Sequence, residues 1–334
     1  MSEDHRKFGE NPDLIKIPLF LTGLVIFVVL LNRLVMPEYC PPGFAATTAY
    51  ASFYQQPQNS VDVVFLGASR AACSFDPAQL RQEHGISAWN LGCDQQNLLV
   101  SYYWLKEAMR SQKLHAVVLE SKLLFAYNTE EALNAAEECT RKGIDSMHWS
   151  PVKIAAIRDI CRLDPKQTAI SYYCPLFRFH DRWRYLGESD FLYREKTAED
   201  TLKGFVPLDA ICGDASYQTW TEAETETAVK EPAVPVMQIY LDRIADLCRE
   251  NGTRLILINV PYIGGTPARA RTIRDYADRR DIEYYDFNEE SLHRSIRYDF
   301  PNDQADATHP NIHGAAKLSA FIGTLLAGPI TKEE

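Results

Sequence analysis

Asp306 and His309 stand three residues apart in Asp306-Ala307-Thr308-His309-Pro310-Asn311, and far upstream an apolar run ends in Gly67-Ala68-Ser69. These residue types are the parts of a Ser-His-Asp nucleophilic site. A serine hydroxyl becomes a useful nucleophile only when an imidazole takes its proton, and a carboxylate must hold that imidazole in one tautomer and stabilise its cation. Ser69 is the candidate nucleophile, His309 the candidate general base and Asp306 the group that orients it. Each also has an ordinary explanation, because serine in a strand-to-helix turn commonly serves as a cap and an Asp-x-x-His pair arises by chance. Cys73 is a competing nucleophile, but nothing near it in the sequence would lower its pKa, and it reads as a packing residue. His313 follows His309 by four positions, yet the glutamate of an H-E-x-x-H helix is missing and no third ligand stands out, so neither a metal nor another cofactor is expected.

The case for chemistry depends on the elements that carry these residues. Val61 to Gly67 is a short β-branched and aromatic run closed by glycine, as in a buried central strand. Asp76-Pro77 opens a short helix ending near Gly85, Ala88 to Gly92 forms a second strand, Leu98 to Met109 a helix, and His115 to Glu120 a third strand. Strands alternating with helices predict an α/β domain with a parallel sheet. The rhythm breaks between Ser121 and about Pro235. It resumes with an amphipathic helix from Met237 to Asn251, a strand from Arg254 to Val260, a helix from Pro267 to Arg280 and a strand from Glu283 to Phe287. Asn311 can cap a final helix that Gly328-Pro329 terminates. No internal repeat or low-complexity tract is present.

In an open α/β sheet, ligands gather beyond the carboxyl ends of the strands. Gly67-Ala68-Ser69, Asn90-Leu91-Gly92 and the loop of Asp306 and His309 are all expected to emerge there. The backbone N–H of Ser69 can then face a developing oxyanion, and Gly92 can supply a second donor. Pro310 disfavours the α region for His309, which keeps the imidazole on the loop before the final helix.

The N-terminus bears on location. Ile17 to Val35 is almost wholly apolar between Lys16 and Arg33 and reads as a membrane span. The stretch strictly between those charges gives about 24 Å of helix, short of a hydrocarbon core of about 30 Å unless Lys16 and Arg33 snorkel outward. Arg6, Lys7 and Lys16 precede the span, whereas the next basic residue beyond Arg33 is Arg70. This bias predicts a single-pass protein of the cell membrane with residues 1–16 cytoplasmic, the span at 17–35 and the rest extracytoplasmic. A cleaved signal peptide is the competing reading, but Ala49-Tyr50-Ala51, the A-x-A-like stretch, lies too far beyond the apolar run. Residues 36–59 read as a linker, 60–328 as one domain with an insertion at about 122–235, and 329–334 as a tail. The formal net charge of −10, without a basic cluster in the domain, excludes nucleic acid as an expected partner and disfavours docking on an anionic surface. The eight cysteines form no C-x-x-C pair and read mostly as small buried hydrophobes.

At this level the residues resemble a known family. Gly67-Ala68-Ser69 is similar to the first block of the SGNH/GDSL hydrolase superfamily, Asn90-Leu91-Gly92 to its glycine block and Asp306-Ala307-Thr308-His309 to its final D-x-x-H block. The resemblance spans roughly residues 60–120 and 236–326. It extends to the membrane-anchored bacterial branch that contains the D-alanyl transfer protein of lipoteichoic acid D-alanylation and polysaccharide O-acetylation proteins. There the last block runs on as H-x-N-x-x-G, as in His309-Pro310-Asn311-Ile312-His313-Gly314. The resemblance implies a three-layer α/β/α fold with a mostly helical insertion, Ser69, Asp306 and His309 in the roles given above, and oxyanion donors at Ser69 and Gly92. Two departures stand out. Ala68 replaces the aspartate of G-D-S-L, and Leu119-Glu120-Ser121-Lys122 stands where a G-x-N-D block belongs, so the third oxyanion donor is unassigned, with Gln95 or Gln96 as candidates.

Loops carry variable contacts over a rigid scaffold, which makes the insertion the natural source of specificity. His180, Arg182 and Trp183 are its candidate substrate-binding residues, because cations beside an aromatic ring suit sugars and anionic groups. A surface salt-bridge cluster with a buried tryptophan is the alternative. The expected function is an extracytoplasmic, membrane-anchored serine esterase or acyltransferase. It would act through a seryl intermediate on an ester-linked acyl group of a cell-envelope glycan or polymer, or of its donor. The alternative is a catalytically idle accessory protein docking onto a membrane-embedded O-acyltransferase.

Overall fold

The structure is a computed structural model that describes residues 12–37, 46–126, 137–191 and 201–330. Most of the expected cytoplasmic segment, part of the expected linker and the end of the expected tail lie outside these residues. The chain divides into two compact units, residues 1–38 with 168–194, and residues 39–167 with 195–334.

The larger unit is an α/β fold. Its five strands are β1 (Val63–Leu66), β2 (Ala88–Asn90), β3 (Ala116–Glu120), β4 (Arg254–Asn259) and β5 (Glu283–Asp286), in the order β2-β1-β3-β4-β5. Every pairing is parallel, with Val63 of β1 level with Ala88 and Ala116, and Glu120 of β3 level with Ile258. Alternate residues face opposite sides of the sheet. Val63, Phe65, Val118, Ile256 and Ile258 build one core with Leu80 of the helix Pro77–His84 and with Leu318 and Ile322 of the last helix. Helices Leu98–Ala108 and Pro235–Glu250 pack against each other, the second also against β4.

The predicted punctuation operates as expected. Asp76 accepts the Ala78 N–H at 2.8 Å to start one helix, and Gly85 ends it in the left-handed region. The last helix departs from expectation and runs from Ile312 to Ile330, through Gly328-Pro329. Proline at 329 has no N–H for the Leu325 carbonyl, and Arg254 Nη1 hydrogen-bonds that carbonyl instead, at 3.2 Å. The expected linker also contains a helix, Ala46–Tyr54, with Tyr50 and Phe53 fully buried. The ring of Tyr50 stacks on Trp104 with centroids 3.9 Å apart, so apolar burial and not hydrophilic spacing governs this stretch.

Much of the break between β3 and β4 belongs to this core as well. Asp159, on the helix Pro151–Leu163, accepts hydrogen bonds from the Tyr103 hydroxyl at 2.6 Å, the Tyr240 hydroxyl at 3.1 Å and Arg243 at 2.9 Å. Residues 203–212 return along the sheet's carboxyl edge. Lys203 O accepts the Asn90 N–H at 2.9 Å, and Ala72 O accepts the Val206 N–H at 2.9 Å. Gly204 lies so close to Asn90 that a Cβ would fall 1.9 Å from its carbonyl oxygen, which makes glycine obligatory there.

The smaller unit contains the helix Pro12–Val35, of which Ile15–Val35 is long and apolar enough to cross a membrane and is exposed along most of its length. Its last turn packs against Leu176–Phe179, His180–Arg184 and Glu188–Phe191.

Candidate active site

Gly67 leaves β1 with φ +142°, and a Cβ there would lie 2.9 Å from the Cβ atoms of both Ala71 and Glu120. The tight exit from strand into the helix Ser69–Ser74 therefore requires glycine. Ser69 is the first residue of that helix, so its N–H belongs to the first-turn donors that have no carbonyl partner within the helix.

His309 arrives on a loop tied down from several sides. Ala307 O accepts the Ile263 N–H at 2.8 Å, and Pro261 O accepts Gln304 Nε2 at 2.7 Å. Asn311 Nδ2 donates to the carbonyls of Asn302 at 2.7 Å and Ala210 at 3.1 Å. Asn311 Oδ1 accepts the N–H groups of His313 at 2.9 Å and Gly314 at 3.2 Å, so it caps the last helix.

Within this loop, Asp306 Oδ1 accepts the N–H groups of Thr308 at 2.7 Å and His309 at 3.0 Å, and Asp306 Oδ2 lies 2.8 Å from His309 Nδ1. A carboxylate opposite Nδ1 calls for a proton on that nitrogen, which leaves the Nε2 lone pair to act as acceptor. Ser69 Oγ lies 2.8 Å from Nε2. Partial burial opposes ionisation of Asp306, but hydrogen bonds from His309 and Thr308 outweigh it and hold the carboxyl below its ordinary range. The structure thus brings Ser69, His309 and Asp306 into one hydrogen-bonded chain. The His309 and Asp306 side chains are 20% and 55% exposed, so the constellation opens to solvent.

The other candidates behave differently. Cys73 is buried, and desolvation, with the Asp306 charge adding to it, pushes its thiol up to about 12, which removes the thiolate a nucleophile needs. Gly92, expected as the second oxyanion donor, gives its N–H to Asn90 Oδ1 at 3.0 Å. Gln96 is fully buried, accepting from the Tyr50 hydroxyl at 2.8 Å and donating to Ser101 Oγ at 3.0 Å, and so is part of the core. Gln95 is exposed, with φ +48°. His180, Arg182 and Trp183 belong to the smaller unit. There Arg182 donates to the Met36 carbonyl at 2.9 Å and pairs with Asp190 at 2.7 Å, and Trp183 is 65% exposed. The arginine expected to bind substrate has its donors committed to a helix end, and the tryptophan is not the buried one of the alternative reading.

The sequence-based expectations do not include the polar network beside Ser69. Arg70 is buried and pairs with the fully buried Glu120 at 3.1 Å. Its guanidinium also donates to Asn259 Oδ1 at 3.2 Å and to the Val260 carbonyl, and lies 3.9 Å from the Tyr262 ring centroid. Asn259 Nδ2 in turn donates to Asp286 at 3.2 Å. Burial pushes the Glu120 carboxyl up in spite of the attraction from Arg70 and Lys122. Lys122, on the turn after β3, has its ammonium 4.8 Å from the Tyr262 ring centroid. Burial and then repulsion from Arg70 lower its pKa, against the pull of Glu120 and Asp306. A signal was present in the sequence, because four of the strands end in a polar residue, Asn90, Glu120, Asn259 and Asp286, each almost wholly buried.

Among known proteins, no protein-family model matches the chain, and no curated protein matches it in sequence.

Proposed function

We propose that this chain is a membrane-anchored serine esterase or acyltransferase of SGNH-like type. The observation that carries the reading is the unbroken chain from Ser69 Oγ to His309 Nε2 and from His309 Nδ1 to Asp306. Its position at the carboxyl edge of a sheet ordered β2-β1-β3-β4-β5 is consistent with SGNH-like topology. In this reading Ser69 Oγ attacks the acyl carbonyl as His309 Nε2 takes its proton, and the Ser69 N–H faces the oxyanion. Collapse of the tetrahedral intermediate breaks the ester bond, and His309 returns the proton to the departing alcohol. Water or an acceptor hydroxyl then attacks the acyl carbon as it gives its proton to His309, and His309 passes that proton to Ser69 Oγ as the acyl–serine bond breaks. The substrate class is an ester-linked acyl group of a cell-envelope polymer or its donor.

Retention of the apolar helix, in preference to cleavage as a signal sequence, is supported by the partners of its end. Asn32 Oδ1 accepts the Leu176 N–H at 2.8 Å, and Arg182 holds the Met36 carbonyl. Cleavage would leave these groups without the helix they fold against. Residues beyond the anchor would lie outside the cell.

The test is covalent trapping. The full chain in detergent is treated with a fluorophosphonate, and the adduct is located by peptide mass mapping. A Ser69 adduct that disappears in His309→Ala supports the enzyme, and a folded, unlabelled wild-type chain rejects it. Engagement of the Gly92 N–H by Asn90 favours a second reading, an accessory protein docking onto a membrane-embedded O-acyltransferase, because it removes an expected oxyanion donor. Supplying glycan fragments with a small activated ester separates the activities. Acyl transfer to the glycan marks a transferase, release to water alone an esterase, and no Ser69-dependent product the accessory role.

A further inference from the structure

The smaller unit carries an exposed face that the proposed chemistry does not use. From Ile15 to Leu30 the helix Pro12–Val35 is exposed except at the half-buried Val28, and from Leu31 to Val35 it is covered apart from Arg33. Over that last turn the chain from 168 to 191 folds as a set of short helices. Its attachment is specific. Asn32 Oδ1 accepts the Leu176 N–H, Arg182 Nη1 donates to the carbonyls of Met36 at 2.9 Å and Leu34 at 3.4 Å, and Asp190 holds the other guanidinium nitrogen at 2.7 Å. Terminal carbonyls of a helix have no intrahelical donors, and an arginine there both bonds them and offsets the negative end of the helix dipole.

Large aromatic and apolar side chains are exposed along this collar, between charged ones. Ile170 is 51% exposed, Phe177 65%, Trp183 65%, Tyr185 77% and Phe191 65%. Large side chains exposed in such density on a short segment mark a surface with something to cover it. Arg178 and Arg184 lie beside rings, with guanidinium to centroid distances of 5.5 Å to Phe179 and 5.5 Å to Trp183. Rings with one polar edge, flanked by long cationic side chains, are the composition of the membrane–water boundary, where the ring meets acyl chain and the polar tip meets headgroup. Exposed Asp181 and Glu188 dilute the basic charge, so apolar contact and not attraction to anionic lipid would supply the binding.

Length points to the same occupant. The stretch from Ile15 to Leu30 that lies clear of the collar is about 24 Å long, short of a hydrocarbon core of about 30 Å. Exposed rings packed beside the end of the helix extend the lipid-compatible surface where the helix alone falls short. We propose that residues 168–191 form an interfacial collar seated in the headgroup–acyl boundary of the lipid bilayer, at the level reached by the C-terminal end of the apolar helix. This rests on the reading of that helix as a retained membrane anchor.

The full chain is reconstituted into vesicles of phosphatidylcholine and phosphatidylglycerol without any other protein, with bromine on the lipid acyl chains either near the carbonyl end or near the methyl end. Alkaline carbonate extraction first establishes whether the chain is integral. Wild type is then compared with Trp183→Phe, a conservative change at an exposed site. The emission that depends on Trp183 should be lost to quenching with bromine near the carbonyl end and largely kept with bromine near the methyl end. Phe177→Trp, placed in the Trp183→Phe background, should restore the quenchable emission. A chain that resists extraction while neither tryptophan is quenched overturns the collar, leaves the anchor standing and assigns the face to a protein partner. Quenching equal from both depths also overturns it. Release by carbonate overturns the anchor and the collar together.

Discussion

Two short clusters with the same ingredients have different fates in this molecule. Asp306 to His309 and His180 to Arg184 both combine a carboxylate with histidine, and the second adds arginines and a tryptophan. The first stands on a loop fixed by Ile263, Gln304 and Asn311 at the edge where β1 delivers Ser69, and its imidazole meets that hydroxyl at 2.8 Å. The second sits against a helix end, where Arg182 is spent on main-chain carbonyls and Asp190. Reactive residue types therefore do not make a site by composition. What distinguishes the two is convergence, in which a second element brings the complementary atom to a group already held in one tautomer.

The sharpest way to break this contrast is to remove the two groups that converge, Ser69 and His309. Ser69→Ala and His309→Ala should each lower turnover of an activated ester on the order of 10⁴-fold or more, because nucleophile and base act as one unit. Circular dichroism should report unchanged folding, and wild-type rates in Ser69→Ala would reject the nucleophile.

Next in size is a stability effect beside the site. Glu120→Ala leaves the buried Arg70 without its carboxylate, and loss of one partner of a buried pair costs about 3–5 kcal/mol. Nε and Nη1 of Arg70 already have no hydrogen-bond partner among the described residues, so Asn259 and the Val260 carbonyl offset the loss only in part. Urea unfolding should show a lower midpoint at unchanged slope. A wild-type midpoint would mean that Arg70 is solvated in solution.

Asp306→Asn should cost roughly 10²-fold less in kcat than Ser69→Ala or His309→Ala, since it removes the acceptor that sets the imidazole tautomer but leaves nucleophile and base in place. The pH profile tests the same point. Asp306 titrates below its ordinary range in the folded chain, so its contribution is present above the ordinary carboxylate value and is lost only as pH falls through the depressed one. A carboxylate held that low stays ionised over the acid limb of the profile. The acid limb should accordingly follow a single proton, about tenfold per pH unit, and a limb twice as steep would show that the carboxylate titrates with the imidazole.

The smallest expected effect belongs to the other cluster. Arg182→Ala, assayed in detergent on a small soluble ester, should leave kcat and KM within about twofold of wild type, the scatter expected for a change outside the reacting groups. A selective rise in KM would return Arg182 to substrate binding.

The parallel sheet is legible because short apolar runs such as Val63-Val64 and Leu255-Ile256-Leu257-Ile258 are closed by turn residues and alternate with capped helices. The loop of Asp306 and His309 was legible because Pro310 and the Asn311 cap mark where the last helix must begin. The helix Ala46–Tyr54 was not, since Ala-Thr-Thr-Ala has weak helix propensity and the burial of Tyr50 against Trp104 is a long-range gain. Pro329 marks a stop in the sequence, whereas the hydrogen bond from Arg254 to the Leu325 carbonyl, which joins residues 71 positions apart, has no local signal. The commitment of the Gly92 N–H was hidden for a similar reason, because nothing in the order Asn90-Leu91-Gly92 says that the asparagine side chain turns forward to take the glycine N–H.

By itself, then, the chain determined what local physics can write: strand and helix periods, caps, a glycine where β1 must turn, an apolar helix, and a carboxylate three residues before an imidazole. Tertiary structure decided everything that requires two distant segments to meet. It placed Ser69 against His309 across 240 positions, paired Arg70 with Glu120 in the interior, and turned the His180 to Arg184 segment into the cap of the N-terminal helix. The physical reason is that hydrogen-bond direction and burial depend on which surfaces a chain can bring together, and residue order constrains those only through the fold.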